Sequence, residues 1–389
     1  MNRLNTLLII SHVVHYVSGD QLFAYGPYSR EIDIWADLFP RVIIAAPCRY
    51  ETPPGDCLPL TRSNIFIEPQ KETGGETLRA KLKQIASLPT IAWRLIRAMR
   101  RADAVHVRCP GNLGLMGVIL APLFSRHLVA KYAGQWSRYS GEPWSFRLQK
   151  KILRSGWWRG PVTVYGQDID QTSNIIPFFT SILTREQMAR ARAAATTKTF
   201  RSPLQVLYVG RLSAPKNVDV LISAVASLKA EAIEIQCVIV GEGPERLALA
   251  AQVAQLGLSD CISFAGGLDF RRVIDFYERA DVLVLASETE GWPKAITEGM
   301  AFGLVCIGSN RGMVTEILGE ERGVLVPPRN LEALTTAIRR IATSPGEYQS
   351  VSARAALWAQ KYSLEDLRKS LGELLTRHWE IPADKFPSN

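Results

Sequence analysis

The sequence predicts an α/β protein made of two doubly wound domains, each built on a parallel β-sheet. A chain of 389 residues has room for two domains of ordinary size. In its second half, aliphatic strand-like runs alternate with segments whose apolar residues recur at helical spacing. Such alternation implies parallel β-α-β units, and ligands of these units bind beyond the carboxyl ends of the strands.

The second half shows this alternation most clearly. Apolar residues from Val218 to Val225 follow the i, i+3, i+4, i+7 pattern of one helix face. Another helix is predicted from Pro244 to just before Gly257, since proline favours the first helical turn and glycine the position after the last. The strands predicted here are residues 204–209, 235–240, 262–265, 282–285 and 305–307.

The first half repeats the pattern less regularly. Its predicted strands are residues 6–10, 42–46, 65–67, 104–107, 128–131 and 162–165, and its predicted helices are 27–39, 76–101 and 144–153. The polar stretch 185–203 ends in proline and indicates a hinge. We therefore assign residues 1–200 to a first domain, 201–362 to a second, and 363–389 to a final amphipathic helix and tail.

The composition is that of an ordinary globular protein, with 47% hydrophobic and 21% charged residues. No apolar run approaches the roughly 18 residues of a membrane-spanning helix. Residues 4–17 are interrupted by polar side chains and precede no small-residue cleavage site, which favours a first strand over a signal peptide. Six cysteines without CxxC spacing predict reduced, buried thiols and a cytoplasmic location.

The net charge of +9 is concentrated in the first half. Residues 1–200 hold 26 Lys and Arg against 14 Asp and Glu, whereas residues 201–389 hold 20 against 23. A basic half suggests an anionic partner such as a membrane surface, a lipid phosphate or an anionic glycan. No recognised nucleic-acid module appears, so nucleic acid is not expected as a partner.

Two stretches combine basic and aromatic residues, namely 93–101 and 144–159. Cations mixed with tryptophan suit a helix that lies in a lipid interface. The sequence therefore predicts peripheral contact with an anionic membrane, at the inner face of the cytoplasmic membrane. A solvated helix face over a tryptophan-rich core accounts for the same pattern equally well.

The most informative segment contains Glu290 and Glu298, eight positions apart. It follows the strand-like run 282–285 and opens a helix predicted to begin at Pro293 and to stop at Gly303. A helix N-terminus after a strand offers N–H groups to an anion. Ionised carboxylates only accept hydrogen bonds, so the pair suits sugar hydroxyls. A nucleotide with a sugar on each side of its phosphates is the expected ligand.

Further candidates follow the first two strands of the second domain. Arg211 and Lys216 are expected to project over the strand ends, where a guanidinium and an ammonium can share a diphosphate. Two solvated surface cations are the alternative. The turn from Gly241 to Pro244 lets backbone approach a base or a phosphate, or simply connects a strand to a helix.

Together these segments resemble the retaining nucleotide-sugar glycosyltransferases of family 4, strongly over residues 206–328. The resemblance implies the GT-B fold, in which two Rossmann-like domains face each other across a crevice, with the C-terminal helix crossing back to the first domain. In order, it rests on Gly210-Arg-Leu, Lys216-Asn217, Gly241-Glu-Gly-Pro244, Phe264-Ala-Gly266, Ala280-Asp281, Ser287, the Glu290 and Glu298 pair, and Gly299-Met-Ala-Phe-Gly303.

The resemblance also implies an activity, which is metal-independent sugar transfer from a nucleotide diphosphate sugar to a glycan or polyprenyl-linked acceptor. It assigns Arg211 and Lys216 to the donor diphosphate, Glu290 to the transferred sugar and Glu298 to the ribose. No cofactor is implied, and UDP-sugar is favoured on family frequency. The remaining donor-binding candidates are Gly241, Gly291, Trp292, Pro293 and Lys294.

The first half departs from the family pattern at Ala133, where many relatives carry a histidine beside the donor sugar. His106 is predicted at a strand end facing the crevice and is a candidate substitute, and a half-buried histidine satisfied by backbone is the alternative. The other acceptor-side candidates are Tyr132, Gly134 and His15. The Asp168-Ile-Asp170 motif lacks a matching context, so no metal is expected.

Two rival functions stay open from the sequence. One is a nucleotide-sugar epimerase or hydrolase with the same fold. The other is a non-catalytic partner subunit that binds a nucleotide sugar, which the substitution at Ala133 would permit. The presence of both cations and both glutamates favours the transferase, whose setting is expected to be cell-surface polysaccharide biosynthesis.

Overall fold

The computed structural model describes residues 4–72, 78–139, 141–166, 174–181, 183–288 and 290–380. These residues form two compact units. The first unit comprises the chain up to Thr180 together with the residues from Asp366 onward, and the second unit is Ser181–Glu365. The chain therefore enters the second unit after residue 180 and returns to the first after residue 365. The sequence predicted these boundaries after residues 200 and 362.

The elements of the first unit alternate from the start of the chain. Its strands are β1 (Thr6–Ile10), β2 (His15–Ser18), β3 (Gln21–Tyr25), β4 (Arg41–Arg49), β5 (Cys57–Pro59), β6 (Ile65–Gln70), β7 (Ala104–Cys109), β8 (His127–Gln135), β9 (Val162–Tyr165) and β10 (Ile175–Pro177). Its helices are α1 (Gly26–Leu38), α2 (Leu78–Met99), α3 (Asn112–Leu120), followed by a 3₁₀ turn (Ala121–Leu123), and α4 (Trp144–Arg154).

The first unit is a doubly wound parallel sheet. Within the described residues, the parallel order is β10-β9-β8-β7-β1-β4-β6, and β2, β3 and β5 form an antiparallel extension beside β4. The central strand β1 is fully buried from Leu7 to Ile10. Leu8 and Ile10 pack with α2, α3 and α4, as expected where helices cover a parallel sheet. The sequence missed β2, β3, β5 and β10, which are short.

The second unit has a simpler topology. Its strands are β11 (Leu204–Val209), β12 (Ile235–Val240), β13 (Ile262–Gly266), β14 (Val282–Leu285), β15 (Val305–Ser309) and β16 (Val324–Val326). Its helices are α5 (Arg185–Thr197), α6 (Val218–Ala230), α7 (Arg246–Gln255), α8 (Phe270–Arg279), α9 (Lys294–Ala301), α10 (Met313–Leu318), α11 (Leu331–Thr343) and α12 (Pro345–Ala359). Within the described residues, the parallel order is β13-β12-β11-β14-β15-β16.

This strand order creates a topological switch point between β11 and β14. From β11 the chain builds outward through β12 to β13, then returns to the other side of β11 to form β14. The connections from these two strands depart in opposite directions, so a crevice opens at their carboxyl ends. Ligands of open α/β sheets bind at such a point.

The stretch predicted as a hinge contains a capped helix. Thr184 accepts a hydrogen bond from the Gln187 backbone N–H at 3.1 Å, and the Gln187 side chain accepts one from the Thr184 N–H at 3.0 Å. This capping box fixes the start of α5. Arg190 then pairs with Asp275 and Glu278 of α8, which explains why α5 belongs to the second unit.

The C-terminal helix α13 (Leu364–Trp379) packs on the first unit over most of its length, as predicted. The Trp379 Nε1 donates a hydrogen bond to the Leu128 carbonyl at 3.1 Å. The same indole lies edge-on to Phe39, with ring centroids 6.2 Å apart. None of the helices in the described part of the chain is long and apolar enough to cross a membrane.

A buried charge cluster joins α1 to the centre of the first sheet. Glu31 Oε2 lies 3.1 Å from Arg108 Nη1 on β7 and 2.9 Å from Lys131 Nζ on β8. All three side chains are at most 12% exposed. Burial alone would raise the pKa of Glu31, but the charges of Lys131 and Arg108 outweigh burial and hold it well below its usual range.

Replacing Glu31 by glutamine should destabilise the protein strongly, because two buried cations would lose their counter-charge. We expect the free energy of unfolding to fall by about 3–5 kcal/mol, measured by urea unfolding. Glu51→Gln is the matched control, since the Arg49–Glu51 pair is exposed and such pairs contribute little. Equal unfolding curves for the two variants would show that the cluster is not a source of stability.

Candidate functional site

Two loops meet at the switch point of the second unit. One follows β11 and ends in a 3₁₀ turn (Ala214–Lys216), and the other follows β14. The Glu288 N–H donates to the Pro215 carbonyl at 2.8 Å, and Asn217 Nδ2 donates to the Ala286 carbonyl at 2.8 Å. The two loops are therefore fastened together at the carboxyl edge of the sheet.

Asn217 is the residue on which this fastening depends. Its backbone is left-handed, with φ 53° and ψ 39°, a conformation that asparagine tolerates better than most residues. Its side chain is buried, and its Oδ1 accepts a hydrogen bond from Arg329 Nη1 at 3.1 Å. Sequence reasoning assigned Asn217 no role beyond its place in a motif, although an asparagine directly before a helix is a recognisable signal for this geometry.

Lys216 and Glu290 are brought together across these loops. The Lys216 Nζ lies 2.5 Å from Glu290 Oε1, with the two side chains 24% and 14% exposed. Burial, and after it the charge of Glu290, raises the pKa of the nearby Tyr208 phenol, which therefore stays protonated. The structure thus joins two of the three predicted catalytic residues in one ion pair.

Arg211 precedes Lys216 on the loop that follows β11, and its side chain is exposed. It forms no ion pair with any residue in the described part of the chain. Its backbone is held, because the Tyr208 hydroxyl donates to the Arg211 carbonyl at 3.0 Å. A guanidinium without an internal counter-charge on an anchored backbone is suited to bind an anion from solution.

Glu298 lies on the second turn of α9, as predicted, and is only 6% exposed. Its Oε2 accepts a hydrogen bond from the Tyr277 hydroxyl at 2.8 Å. Burial, and after it the charge of Glu298, raises the pKa of Tyr277 well above its ordinary value. The phenol is therefore a permanent donor that orients the carboxylate, a role that the sequence did not assign to Tyr277.

The start of α9 differs from the prediction by one residue. The helix begins at Lys294, and Pro293 is its N-cap, with no side-chain cap. Gly291, Trp292 and Lys294 are half-buried, and Pro293 is buried. The first backbone N–H groups of α9 point back towards the loop that carries Glu290, because helix N-termini leave these donors without intrahelical partners. The helix ends before Gly303, whose φ is +76°.

The glycine turn after β12 lies against backbone atoms of the loop that follows β11, so its close contact is within the protein. A Cβ on Gly241, whose φ is +146°, would lie 1.8 Å from the Gly210 carbonyl oxygen, and one on Gly243 would lie 2.1 Å from the Leu212 oxygen. The Leu212 N–H donates to the Glu242 carbonyl at 2.9 Å. The turn thus supports the loop that carries Arg211.

His106 is not at a strand end, so that part of the prediction is wrong. It lies inside β7, is 1% exposed and stacks on Trp35 with ring centroids 4.6 Å apart. Burial lowers its pKa to about 3, so it is a neutral core histidine. His15 is equally buried at the start of β2, where its Nδ1 lies 2.9 Å from the Val13 carbonyl oxygen, and burial lowers its pKa to about 4.

The remaining acceptor-side candidates lie on β8. Tyr132 is 1% exposed, with its ring 5.1 Å from that of Trp136. Ala133 and Gly134 fall where the register between β8 and β9 shifts, which makes them a β-bulge. Their contact with an acceptor stays a prediction. The Asp168-Ile-Asp170 motif lies outside the described residues, among which no group of three or more potential metal ligands is found.

The sequence of this second unit matches a known family. Residues 192–358 fit the family model described as Glycosyl transferases group 1. This part of the chain is therefore similar in sequence to that family. The D-inositol 3-phosphate glycosyltransferase of Rhodococcus jostii (strain RHA1) is 30% identical over 193 residues, which cover 47% of this chain and 42% of that relative. The chain therefore matches less than half the length of this curated relative.

Solved structures extend the likeness, in fold alone, to nearly the whole chain. Sucrose-phosphate synthase from Thermosynechococcus elongatus has a TM-score of 0.72 and 21% identity, covering 97% of this chain and 99% of that one. Anabaena Alr3699/HepE in complex with UDP and glucose has a TM-score of 0.68 and 16% identity, covering 96% and 99%. These likenesses confirm the predicted GT-B fold.

Gly241→Ala should damage the site because the new methyl group collides with backbone. We expect a loss of about 3 kcal/mol in the free energy of unfolding, at the upper end for overpacking, measured by urea unfolding. Gly257→Ala is the matched control, since Gly257 also has a positive φ but open space around it. Its expected loss is about 1 kcal/mol from backbone strain. Equal losses of stability in the two variants would contradict the close contact between Gly241 and the Gly210 carbonyl.

Proposed function

We propose that this protein is a retaining, metal-independent hexosyltransferase that takes a sugar from a nucleotide diphosphate donor, with a UDP-sugar favoured. The observation that carries the proposal is the ion pair of Lys216 with Glu290 at the switch point between β11 and β14, with the exposed Arg211 on the same loop as Lys216. The match of residues 192–358 to the Glycosyl transferases group 1 model and the UDP complex of the Anabaena protein support this choice of ligand.

In the proposed reaction the glycosidic bond to the diphosphate breaks as the acceptor oxygen bonds to the same face of the anomeric carbon. The acceptor proton passes to an oxygen of the departing phosphate. Arg211 and Lys216 stabilise the negative charge that develops on the diphosphate, and Glu290 accepts hydrogen bonds from the transferred sugar. Glu298, oriented by Tyr277, accepts hydrogen bonds from the ribose hydroxyls. No nucleophilic side chain is required.

Donor binding is tested by a thermal-shift panel of UDP-, GDP-, ADP- and dTDP-sugars. We expect one nucleotide class to raise the melting temperature, because a ligand that binds only the native state stabilises it. Glu298→Ala should abolish the shift, whereas Glu316→Ala, on α10 in the same unit, should keep it. A shift that Glu298→Ala leaves unchanged would contradict the assigned site, and the absence of any shift would favour the non-catalytic partner.

Catalysis is tested by nucleoside diphosphate release that depends on an acceptor. We expect Arg211→Ala and Lys216→Ala each to lower kcat by about 10²–10³-fold, as for other groups that stabilise developing charge. Arg271→Ala, an exposed arginine on α8, is the matched control and should retain activity. Free sugar or an epimerised donor as the product would instead identify the hydrolase or epimerase.

The acceptor is proposed to be a glycan or a polyprenyl-linked sugar in cell-surface polysaccharide biosynthesis, handled at the inner face of the cytoplasmic membrane. Support comes from a surface of the first unit that we name the basic-aromatic patch. Arg97 lies over the ring of Trp93 at 5.7 Å, and Trp157 Nε1 donates to the Ile119 carbonyl at 3.2 Å. The patch comprises Trp93, Arg97, Arg100, Ile119, Leu123, Phe124 and Trp157.

The patch contains residues of both basic-aromatic stretches. Arg100 lies over the ring of Phe124 at 5.7 Å, next to Leu123, which is 60% exposed. Trp93 is 59% and Trp157 44% exposed. Apolar side chains exposed beside arginines favour an interface with anionic lipid over the alternative of a purely solvated face.

Vesicle co-sedimentation at low salt tests this membrane proposal. Wild type should bind vesicles that contain phosphatidylglycerol and should release them as salt screens the attraction. Trp93→Ser with Leu123→Ser should weaken binding by at least fivefold, since each removes buried apolar area in the interface. Leu247→Ser with Leu357→Ser, two leucines of the second unit that are more exposed than the patch residues, is the control. Equal vesicle binding by wild type and both double variants would show that the patch is not the membrane-binding surface.

A further inference from the structure

A second cationic site lies in the first unit, along α4 and the loop before it. It is a pocket of about 660 Å³, which is within the range of small-molecule sites. Five cationic side chains and one carboxylate line it among the described residues, and these are Arg138, Arg147, Lys150, Lys151, Arg154 and Glu142. The residues that line the pocket all belong to the first unit, whereas those of the candidate donor site all belong to the second.

The single carboxylate is already engaged inside the protein. Glu142 Oε1 contacts Lys150 Nζ, and both side chains are 3% exposed. The same Nζ lies 3.2 Å from the Ser137 carbonyl oxygen and 5.2 Å from the centre of the Tyr132 ring. This buried pair fixes the loop against α4 and leaves Arg138, Arg147 and Lys151 without a counter-charge among the residues that the structure describes.

These other cations surround the cavity. Arg138, Arg147 and Lys151 form no ion pair with any residue that the structure describes. Arg147 and Lys151 are exposed and lie four residues apart, on one side of α4. Arg154 continues that side and stacks over Trp136 at 4.6 Å. Their positive field therefore converges on the cavity.

The sequence of α4 makes this arrangement unfavourable for the helix itself. The helix carries four cations and no acidic residue in 11 positions. Arg147 with Lys151, and Lys150 with Arg154, are like charges at i and i+4, which destabilise a helix. Arg147 in the first half of the helix also opposes the helix dipole. An external anion between Arg147 and Lys151 would relieve their repulsion, whereas the charge of Lys150 is already compensated by Glu142.

We propose that this pocket binds a phosphate or diphosphate group of a ligand other than the sugar donor. Arginine forks and lysine ammonium groups are the side chains that recognise phosphate oxygens. At the rim, Trp144 is 68% exposed and stands near Leu148, which offers apolar surface for a group attached to the phosphate. The pocket is open on one side, and its volume of about 660 Å³ has room for one head group.

Two kinds of ligand present such a phosphate group. One is a lipid diphosphate that presents the acceptor, a case that rests on the proposed transferase function. The other is the head group of an anionic phospholipid, which does not depend on that function. Phosphate recognition by the pocket is common to both.

Isothermal titration of the full-length chain with inorganic pyrophosphate at low salt tests the pocket. The double variant Arg147→Ala with Lys151→Ala should bind pyrophosphate at least tenfold more weakly at one class of site, which is the pocket. Its affinity for UDP should stay unchanged. Both residues are exposed, so the fold should persist, which circular dichroism verifies. Lys71→Ala with Arg126→Ala, exposed residues of the same unit outside the pocket, removes equal charge and should bind pyrophosphate like wild type.

Pyrophosphate binding that is unchanged in the pocket variant, or reduced equally in the charge-matched control, would overturn the proposal. Failure of UDP to bind any of the proteins would instead count against the proposed donor site and would not affect the pyrophosphate comparison. The two hypotheses can therefore fail separately.

Geranyl diphosphate and phosphatidylglycerol vesicles then distinguish the sources. Loss of geranyl diphosphate binding in the pocket variant, with vesicle binding retained, identifies a lipid diphosphate. Loss of vesicle binding with geranyl diphosphate retained identifies the phospholipid head group. Retention of both ligands by the variant would overturn the proposal.

Discussion

The hydrogen bonds of Asn217 are the constraint on which the candidate donor site depends. Its side chain ties the loop after β11 to the loop after β14, and its left-handed backbone turns the chain from the 3₁₀ turn into α6. Lys216 and Glu290 can meet only because these two loops are held in register. The strand order brings the loops together, and the Asn217 side chain fixes their distance together with the backbone hydrogen bond from Glu288 to Pro215.

Support for the site is arranged in layers around that junction. The glycine turn after β12 packs against the backbone of Arg211, and Tyr208 anchors the same segment from below. Tyr277 orients Glu298 from α8. Side chains that would contact a ligand are therefore carried on backbone held by residues that would not, which is how a binding site stays preorganised before its ligand arrives.

Much of the second unit could be predicted from the sequence, because local signals there agree with the tertiary fold. The run Val282–Leu285 is wholly apolar, as a strand buried on both faces must be, and its predicted and observed bounds coincide. The role of Tyr277 could not be predicted from the sequence, because its hydrogen-bond partner Glu298 lies on another helix, 21 positions further along the chain. His106 was misplaced because apolar flanks fit a strand interior as well as a strand end. The segment Arg185–Thr197 looked like a hinge because its capping box was overlooked.

The ion pair of Lys216 with Glu290 also affects which anions bind at Lys216. While the two are in contact, the lysine charge is satisfied internally, so an arriving anion has to displace a carboxylate rather than fill an empty position. A singly charged anion offers about the same Coulomb energy as the carboxylate it would replace, whereas a diphosphate offers more charge over several oxygens. The resting site therefore discriminates by charge, and small monoanions of the surrounding solution gain little by entering it.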